Sequence, residues 1–153
     1  MTEATLWWTD VVLTALLRHA RTTYGAAMRR ALGELGYDDI PGNGMYVIGA
    51  LAMGGTQLAE IIAGLGTSKQ AAGQLVDTLV LRGYLERSVD PGDRRRLNVT
   101  LTERGQAAAA AQAAARERID AELAARVGEE KVLHAKEVLG TLIVMGREAE
   151  YTG

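Results

Sequence analysis

The feature that most constrains this chain is a change of hydrophobic period inside one short stretch. Between residues 58 and 82 apolar side chains recur at helical spacing. Leu58, Ile61 and Ile62 share one face of a short helix that Thr56 can cap. Gly64-Leu65-Gly66 then reads as a turn. Thr67 or Ser68 caps a second helix predicted to reach Arg82, with Ala72, Leu75, Val76 and Leu79 pointing inward. Gly83 sits where a C-terminal cap glycine belongs. The period then drops to two. Tyr84-Leu85-Glu86-Arg87 is predicted as a strand, Asp90-Pro91-Gly92-Asp93 as a turn, and Leu97 to Leu101 as the return strand.

Helix, glycine turn, helix and hairpin in that order make a helix-turn-helix followed by a wing. The flanks are helical. Leu13, Leu16, Leu17, Ala20, Tyr24, Ala27, Met28, Ala31 and Leu35 define one long helix that Gly36 ends. Residues 38–44 form a turn-rich break, and Met45 to Met53 is a further helix candidate. After the hairpin, Thr102-Glu103-Arg104-Gly105 opens another helix. Its alanine-rich run, Ala107 to Ala115, is read as plain helix propensity. Gly128 breaks the last third, and Val132 to Met145 carries more apolar residues than one amphipathic face needs. The expected fold is mainly α: an α+β winged helix-turn-helix with a two-stranded wing hairpin and helical dimerisation arms from both termini. The expected division is an N-terminal dimerisation helix at 1–36, a DNA-binding winged helix at 37–105 and C-terminal dimerisation helices at 106–153.

Composition narrows the function. There is no cysteine, which excludes thiol chemistry, disulfides and cysteine metal sites. The first apolar run, Val11 to Leu17, is too short to cross a bilayer and lacks a basic leader, so a cytoplasmic protein with no membrane partner is expected. The net charge of −2 argues at first against a nucleic-acid partner. It is unevenly distributed, however. Residues 66–105 hold 7 basic and 5 acidic groups, whereas both flanks are acidic. Acidic flanks repel stray DNA, so binding is expected to depend on a fitted site rather than on bulk charge.

That basic third contains the chemistry. A groove-reading helix needs an apolar back and a polar front. The front here is Thr67, Ser68, Lys69, Gln70, Gly73 and Gln74. Glutamine can pair bidentately with adenine, and lysine with guanine or phosphate. Gly73 leaves room for close approach. Taken alone, this is as consistent with an ordinary surface helix. The hairpin adds Asp93, Arg94, Arg95 and Arg96 directly after that helix. Arginine at such a tip can enter the minor groove, where the potential is most negative. Asp93 can restrain a neighbouring arginine.

At these residues the sequence resembles the MarR family of winged-helix regulators. The resemblance rests on Gly66-Thr67-Ser68-Lys69-Gln70-Ala71 through Leu79, on Arg82-Gly83-Tyr84-Leu85-Glu86-Arg87, and on Asp90-Pro91-Gly92-Asp93-Arg94-Arg95-Arg96. It closes on Val99-Thr100-Leu101-Thr102-Glu103-Arg104-Gly105. It implies a homodimeric transcriptional regulator, usually a repressor, that reads a palindromic operator in double-stranded DNA. It also implies intertwined terminal helices, Arg95 as the wing-tip arginine and Asp93 as the residue that holds it. A small phenolic or otherwise lipophilic effector in the cleft beside the dimer helices is implied as well. Arg18, His19, Tyr24 and Tyr46 are the candidate pocket residues, with packing or dimer contacts as the competing reading. Trp7 and Trp8, placed at the start of the first helix, are expected to pack on the partner subunit.

No cofactor and no metal are expected, since two histidines far apart make a poor zinc site. No enzyme motif is present; Gly66-Thr67-Ser68-Lys69 has phosphate-loop parts in the wrong order. Two other readings remain open from sequence: a winged helix that binds protein, and a ligand-binding protein without DNA activity.

Overall fold

The computed structural model describes residues 3–54, 58–89, 92 and 97–151. A 3-10 helix, Glu3–Asp10, precedes α1 (Leu13–Glu34). Then follow α2 (Gly44–Ala52), α3 (Leu58–Leu65), α4 (Lys69–Leu81), β1 (Leu85–Val89), β2 (Leu97–Leu101), α5 (Glu103–Val127) and α6 (Glu129–Tyr151). The mainly helical architecture with one two-stranded antiparallel sheet is the expected winged helix. The chain divides into two compact units, residues 1–116 and 117–153.

Two helices end in the same way. At the end of α1, Gly36 takes φ +73°, its N–H bonds Gly33 O at 2.9 Å, and the Tyr37 N–H bonds Leu32 O at 2.9 Å. At the end of α4, Gly83 takes φ +78°, its N–H bonds Val80 O at 3.0 Å, and the Tyr84 N–H bonds Leu79 O at 2.9 Å. Both are Schellman caps, which need a left-handed residue after the helix and so favour glycine. In both, a tyrosine follows the glycine.

The core of the first unit draws on every element from α1 to α5. Leu32 comes from α1, Val47 and Ile48 from α2, and Ile61 from α3. Val76 and Leu79 come from α4, Leu85 and Val99 from the hairpin, and Ala108 and Ala109 from α5. Fully burying a large side chain of this kind contributes roughly 1.5–3 kcal/mol. In the sheet, Leu85 faces Leu101 and Arg87 faces Val99, so Leu85 and Val99 lie on the inner face. That anchor matters because a lone hairpin is marginally stable in water.

Several expectations are adjusted by local physics. Tyr84 lies outside the strand: its N–H caps α4 and its carbonyl accepts from the Thr102 N–H at 3.1 Å. Pairing therefore begins at Leu85. Leu75 points inward as expected, half-buried and packed against the core. The alanine run is more than propensity, since Ala108, Ala109 and Ala115 are buried. Trp7 and Trp8 sit on the separate 3-10 helix, not on α1, and meet edge to face at 6.0 Å. The expected cap of α3, Thr56, lies outside the described residues. In the second unit α6 is longer than its apolar run, and Leu133, Ile143 and Met145 on it are each more than half exposed.

Candidate nucleic-acid interface

The candidate reading helix is α4. Gly66 turns the chain into it with φ +63°. Ser68 is the N-cap, with extended backbone and its Oγ accepting from the Ala71 N–H at 3.2 Å. This satisfies one of the free N–H groups of the first turn. Ala72, Val76 and Leu79 are buried beneath it. On the opposite side Thr67, Ser68, Lys69, Gln70 and Gln74 are exposed and Gly73 is half-buried. A Cβ on Gly73 would meet nothing within 4 Å. Internal packing therefore does not demand glycine there; open space lies in front of it. Asp77 on this helix pairs with Arg87 on β1, and both are largely exposed, so the pair contributes little stability.

The wing carries the other half of the expected interface. Asp93, Arg94, Arg95 and Arg96 lie outside the described residues. The strands that lead to them, β1 and β2, pair in register from Leu85↔Leu101 to Val89↔Leu97.

Behind α4, a polar cluster fixes the unit to the start of α5. The Tyr84 hydroxyl donates to Asp39 Oδ1 and accepts from Arg104 Nη2 at 2.9 Å. Arg104 Nη2 also reaches Asp39 Oδ1 at 3.3 Å. Its guanidinium lies over the Tyr37 and Tyr84 rings, 4.7 and 4.5 Å from their centroids. The two rings meet edge to face at 5.7 Å. Arg82 donates to the Asp39 carbonyl. The Tyr84 hydrogen bond, more than the nearby Arg104 charge, holds the Asp39 carboxyl below its usual range. Burial, reinforced by Asp39, pushes the Tyr84 phenol up. The hydrogen bond it donates to the Tyr84 hydroxyl holds the Arg104 guanidinium more firmly protonated.

The Thr102-Glu103-Arg104-Gly105 motif completes this joint. Thr102 Oγ1 accepts from the Gly105 N–H at 3.1 Å and donates to Gly83 O. A Cβ on Gly105 would lie 2.1 Å from Tyr84 O, a backbone atom that cannot move aside. Sequence reasoning missed this cluster. The available signal was the repeated Gly-Tyr after a helix, at Gly36-Tyr37 and Gly83-Tyr84.

A second feature of the first unit is a cleft of about 730 Å³ walled by α1, α2 and α5. Of the four candidate pocket residues, Arg18, Tyr24 and Tyr46 line it and His19 does not. Gln112 and Arg116 of α5, not anticipated from sequence, form its far wall. Gln112 is 1% exposed and is the one buried polar residue among those described. Its amide nitrogen has no hydrogen-bond partner. A neighbouring cleft of about 590 Å³ lies between α2, β2 and α5 and shares Gly49, Met53 and Arg116 with it. Among the described residues no three metal-ligating side chains gather. No described helix is long and apolar enough to cross a membrane.

Comparison with known proteins agrees with this architecture. Residues 38–96 match the MarR family. A transcriptional regulator from Thermotoga maritima is similar at 25% identity and TM-score 0.57, covering 90% of this chain and 96% of its own. The transcriptional regulator PA4135 is similar at 26% identity and TM-score 0.66, covering 86% and 95%. MepR of S. aureus shares the fold at 21% identity and TM-score 0.56, covering 89% and 99%, in a structure bound to an oligodeoxyribonucleotide. It has also been solved bound to ethidium bromide. No curated protein matches the chain.

Proposed function

For a chain whose residues 38–96 match the MarR family, we propose a transcriptional regulator that reads a palindromic DNA operator as a homodimer. The observation that carries this reading is α4: a capped helix with a buried apolar back, an exposed front of Thr67, Ser68, Lys69, Gln70 and Gln74, and open space at Gly73. The front enters the major groove, and Arg95, held by Asp93, enters the minor groove with Arg94 and Arg96 on the flanking phosphates. Residues 37–105 act as the reading domain, and residues 1–36 and 106–153 form the dimer. The exposed Leu133, Val138, Leu142 and Ile143 of α6 support that arrangement, since an apolar helix face of this size favours a partner. Trp7 and Trp8, both exposed, add apolar surface to the same purpose. Two-fold symmetry sets the half-sites about one helical turn, ~34 Å, apart. The fold's DNA-bound relative, MepR, supports the partner class. A small molecule in the α1–α2–α5 cleft releases the operator, which makes the protein a repressor relieved by its effector in the cytoplasm.

Selection of binding sites from random DNA with the purified protein tests this directly. A palindrome is expected. Arg95→Ala should then lose most affinity, while Gln70→Ala and Gln74→Ala should relax specificity at single positions by roughly 1–3 kcal/mol each. Absence of any selected sequence, or selection without a steep salt dependence, overturns the reading.

A further inference from the structure

With no cysteine in the chain, its sulfur chemistry rests on five methionines. Those among the described residues sit in different surroundings. Met45 is buried, whereas Met53 and Met145 are exposed at 86% and 58%. Met28, on α1, is half-buried and packs against the core while lining the α1–α2–α5 cleft. Among the described residues it is the one methionine whose sulfur meets a hydrogen-bond donor. Arg116 Nη1 on α5 reaches Met28 Sδ at 3.8 Å, across 88 residues of sequence.

A thioether is a weak acceptor, so this guanidinium N–H is poorly used. A sulfoxide is a different partner. Its oxygen carries partial negative charge, and a guanidinium holds such an oxygen in a charge-assisted hydrogen bond. The cleft gives a small solute access to both atoms, since Met28 and Arg116 both line it. Room for an added oxygen is also present. Gly49 lies beside the same guanidinium, where even a Cβ would come no nearer than 4.0 Å to Arg116 Nη1.

We propose that Met28 is an oxidation site and that Arg116 captures the sulfoxide formed there. The oxidant is a small peroxide such as hydrogen peroxide. A sulfur lone pair attacks one peroxide oxygen, the O–O bond breaks and an S–O bond forms. The sulfur gives up two electrons, and the proton on the attacked oxygen passes to the departing hydroxide, which leaves as water. Sulfoxide reductases reverse such a change, so the mark is erasable. Methionine oxidation ordinarily loosens packing, because it puts a polar group among apolar ones. At Met28 the partner for that polar group is already in place, so oxidation strengthens the tie between α1 and α5. The site makes a cysteine-free chain responsive to peroxide, whatever occupies the cleft and whatever the reading helix binds.

Peptide mass mapping and thermal unfolding of the full-length protein, before and after millimolar hydrogen peroxide, test the proposal. Met53→Leu and Met145→Leu are combined to remove the two exposed sulfurs. Met28 should then gain one oxygen ahead of the buried Met45, and sulfoxide reductase should remove it. The oxidised protein should unfold within about 2 °C of the reduced one. In Arg116→Gln, oxidation should lower the midpoint by at least about 4 °C, because the sulfoxide loses its charged donor. Arg116→Lys, which keeps a cationic donor, should restore part of that difference. Met28→Leu should abolish the shift in every background. An unmodified Met28 in wild-type protein whose Met53 is fully oxidised overturns the oxidation site. An oxidised midpoint that falls equally with Arg116, Lys and Gln at that position overturns the capture.

Discussion

Two polar regions sit on opposite ends of the same helix segment, and they are treated differently. At the start of α5, Arg104 has Asp39, the Tyr84 hydroxyl and two tyrosine rings around it, while its buried Nε lacks a partner. Three turns later, Arg116 has one sulfur, and Gln112 offers an amide nitrogen to nothing. Apart from Arg104 Nε, the first cluster finds its partners within the chain, and it joins three segments that are far apart in sequence. The second holds donors in reserve. Polar groups that are mutually satisfied fix structure; polar groups kept buried and unpaired cost stability. The difference separates a partnered joint from a pair of underused donors on one helix.

Mutations can break this comparison. The largest expected effect is Gly105→Ala. A Cβ 2.1 Å from the Tyr84 carbonyl forces the joint apart, and the cost should be on the order of 3 kcal/mol or more, read from urea denaturation. A loss below about 1 kcal/mol would show that the joint is loose.

Tyr84→Phe comes next. It removes the hydroxyl between Asp39 and Arg104 and should cost about 1–2 kcal/mol near neutral pH. Its pH dependence is specific. Asp39 titrates below its usual 3.8 in the folded chain, so its contribution is present above that value and fades as pH falls through the folded value. The Tyr84 phenol titrates above its usual 10.0, so its contribution is full below that value and fades as pH rises beyond it. The stability difference between wild type and Tyr84→Phe should therefore be a plateau that shrinks at both ends. A difference constant across acid and alkali would remove the Asp39–Tyr84 link.

Gln112→Met has the opposite sign. Replacing an unpartnered buried amide with an apolar chain of similar length should stabilise the fold by about 1 kcal/mol, seen as a higher urea midpoint. Destabilisation would mean that the amide belongs to the joint's class. The smallest effect is expected at Gln70→Ala and Gln74→Ala. Both side chains are exposed, and denaturation should change by no more than about 0.5 kcal/mol. A larger change would mean that they hold the helix rather than meet a ligand.

The candidate reading helix and the hairpin were legible in sequence because their signals are local. Ser68 caps the residue three positions on, and the alternation of Leu97 to Leu101 needs only its own strand. The joint was not legible. It depends on Asp39, Tyr84 and Arg104 meeting across 45 and 20 residues, and no spacing rule brings them together. Gln112 was hidden for another reason. It stands in a run of alanines whose helix propensity accounts for the composition without any burial. Only burial reveals that Ala108 and Ala115 are core and that the glutamine between them is enclosed. His19, placed at the cleft by the family resemblance alone, lies one position along the helix from Arg18, which lines the cleft. A helix turns by about 100° per residue, so adjacent positions do not share a face.

The twin turns at Gly36 and Gly83 open a route that ordinary mutagenesis lacks. Both adopt backbone angles of the mirror-image hand, which any side chain of natural chirality resists. A D-alanine installed at either position by chemical synthesis fits that hand, and it narrows the unfolded ensemble as a side chain at a compatible glycine does. The same two residues that deliver Tyr37 and Tyr84 to Arg104 are thus the places where inverted stereochemistry should strengthen this protein.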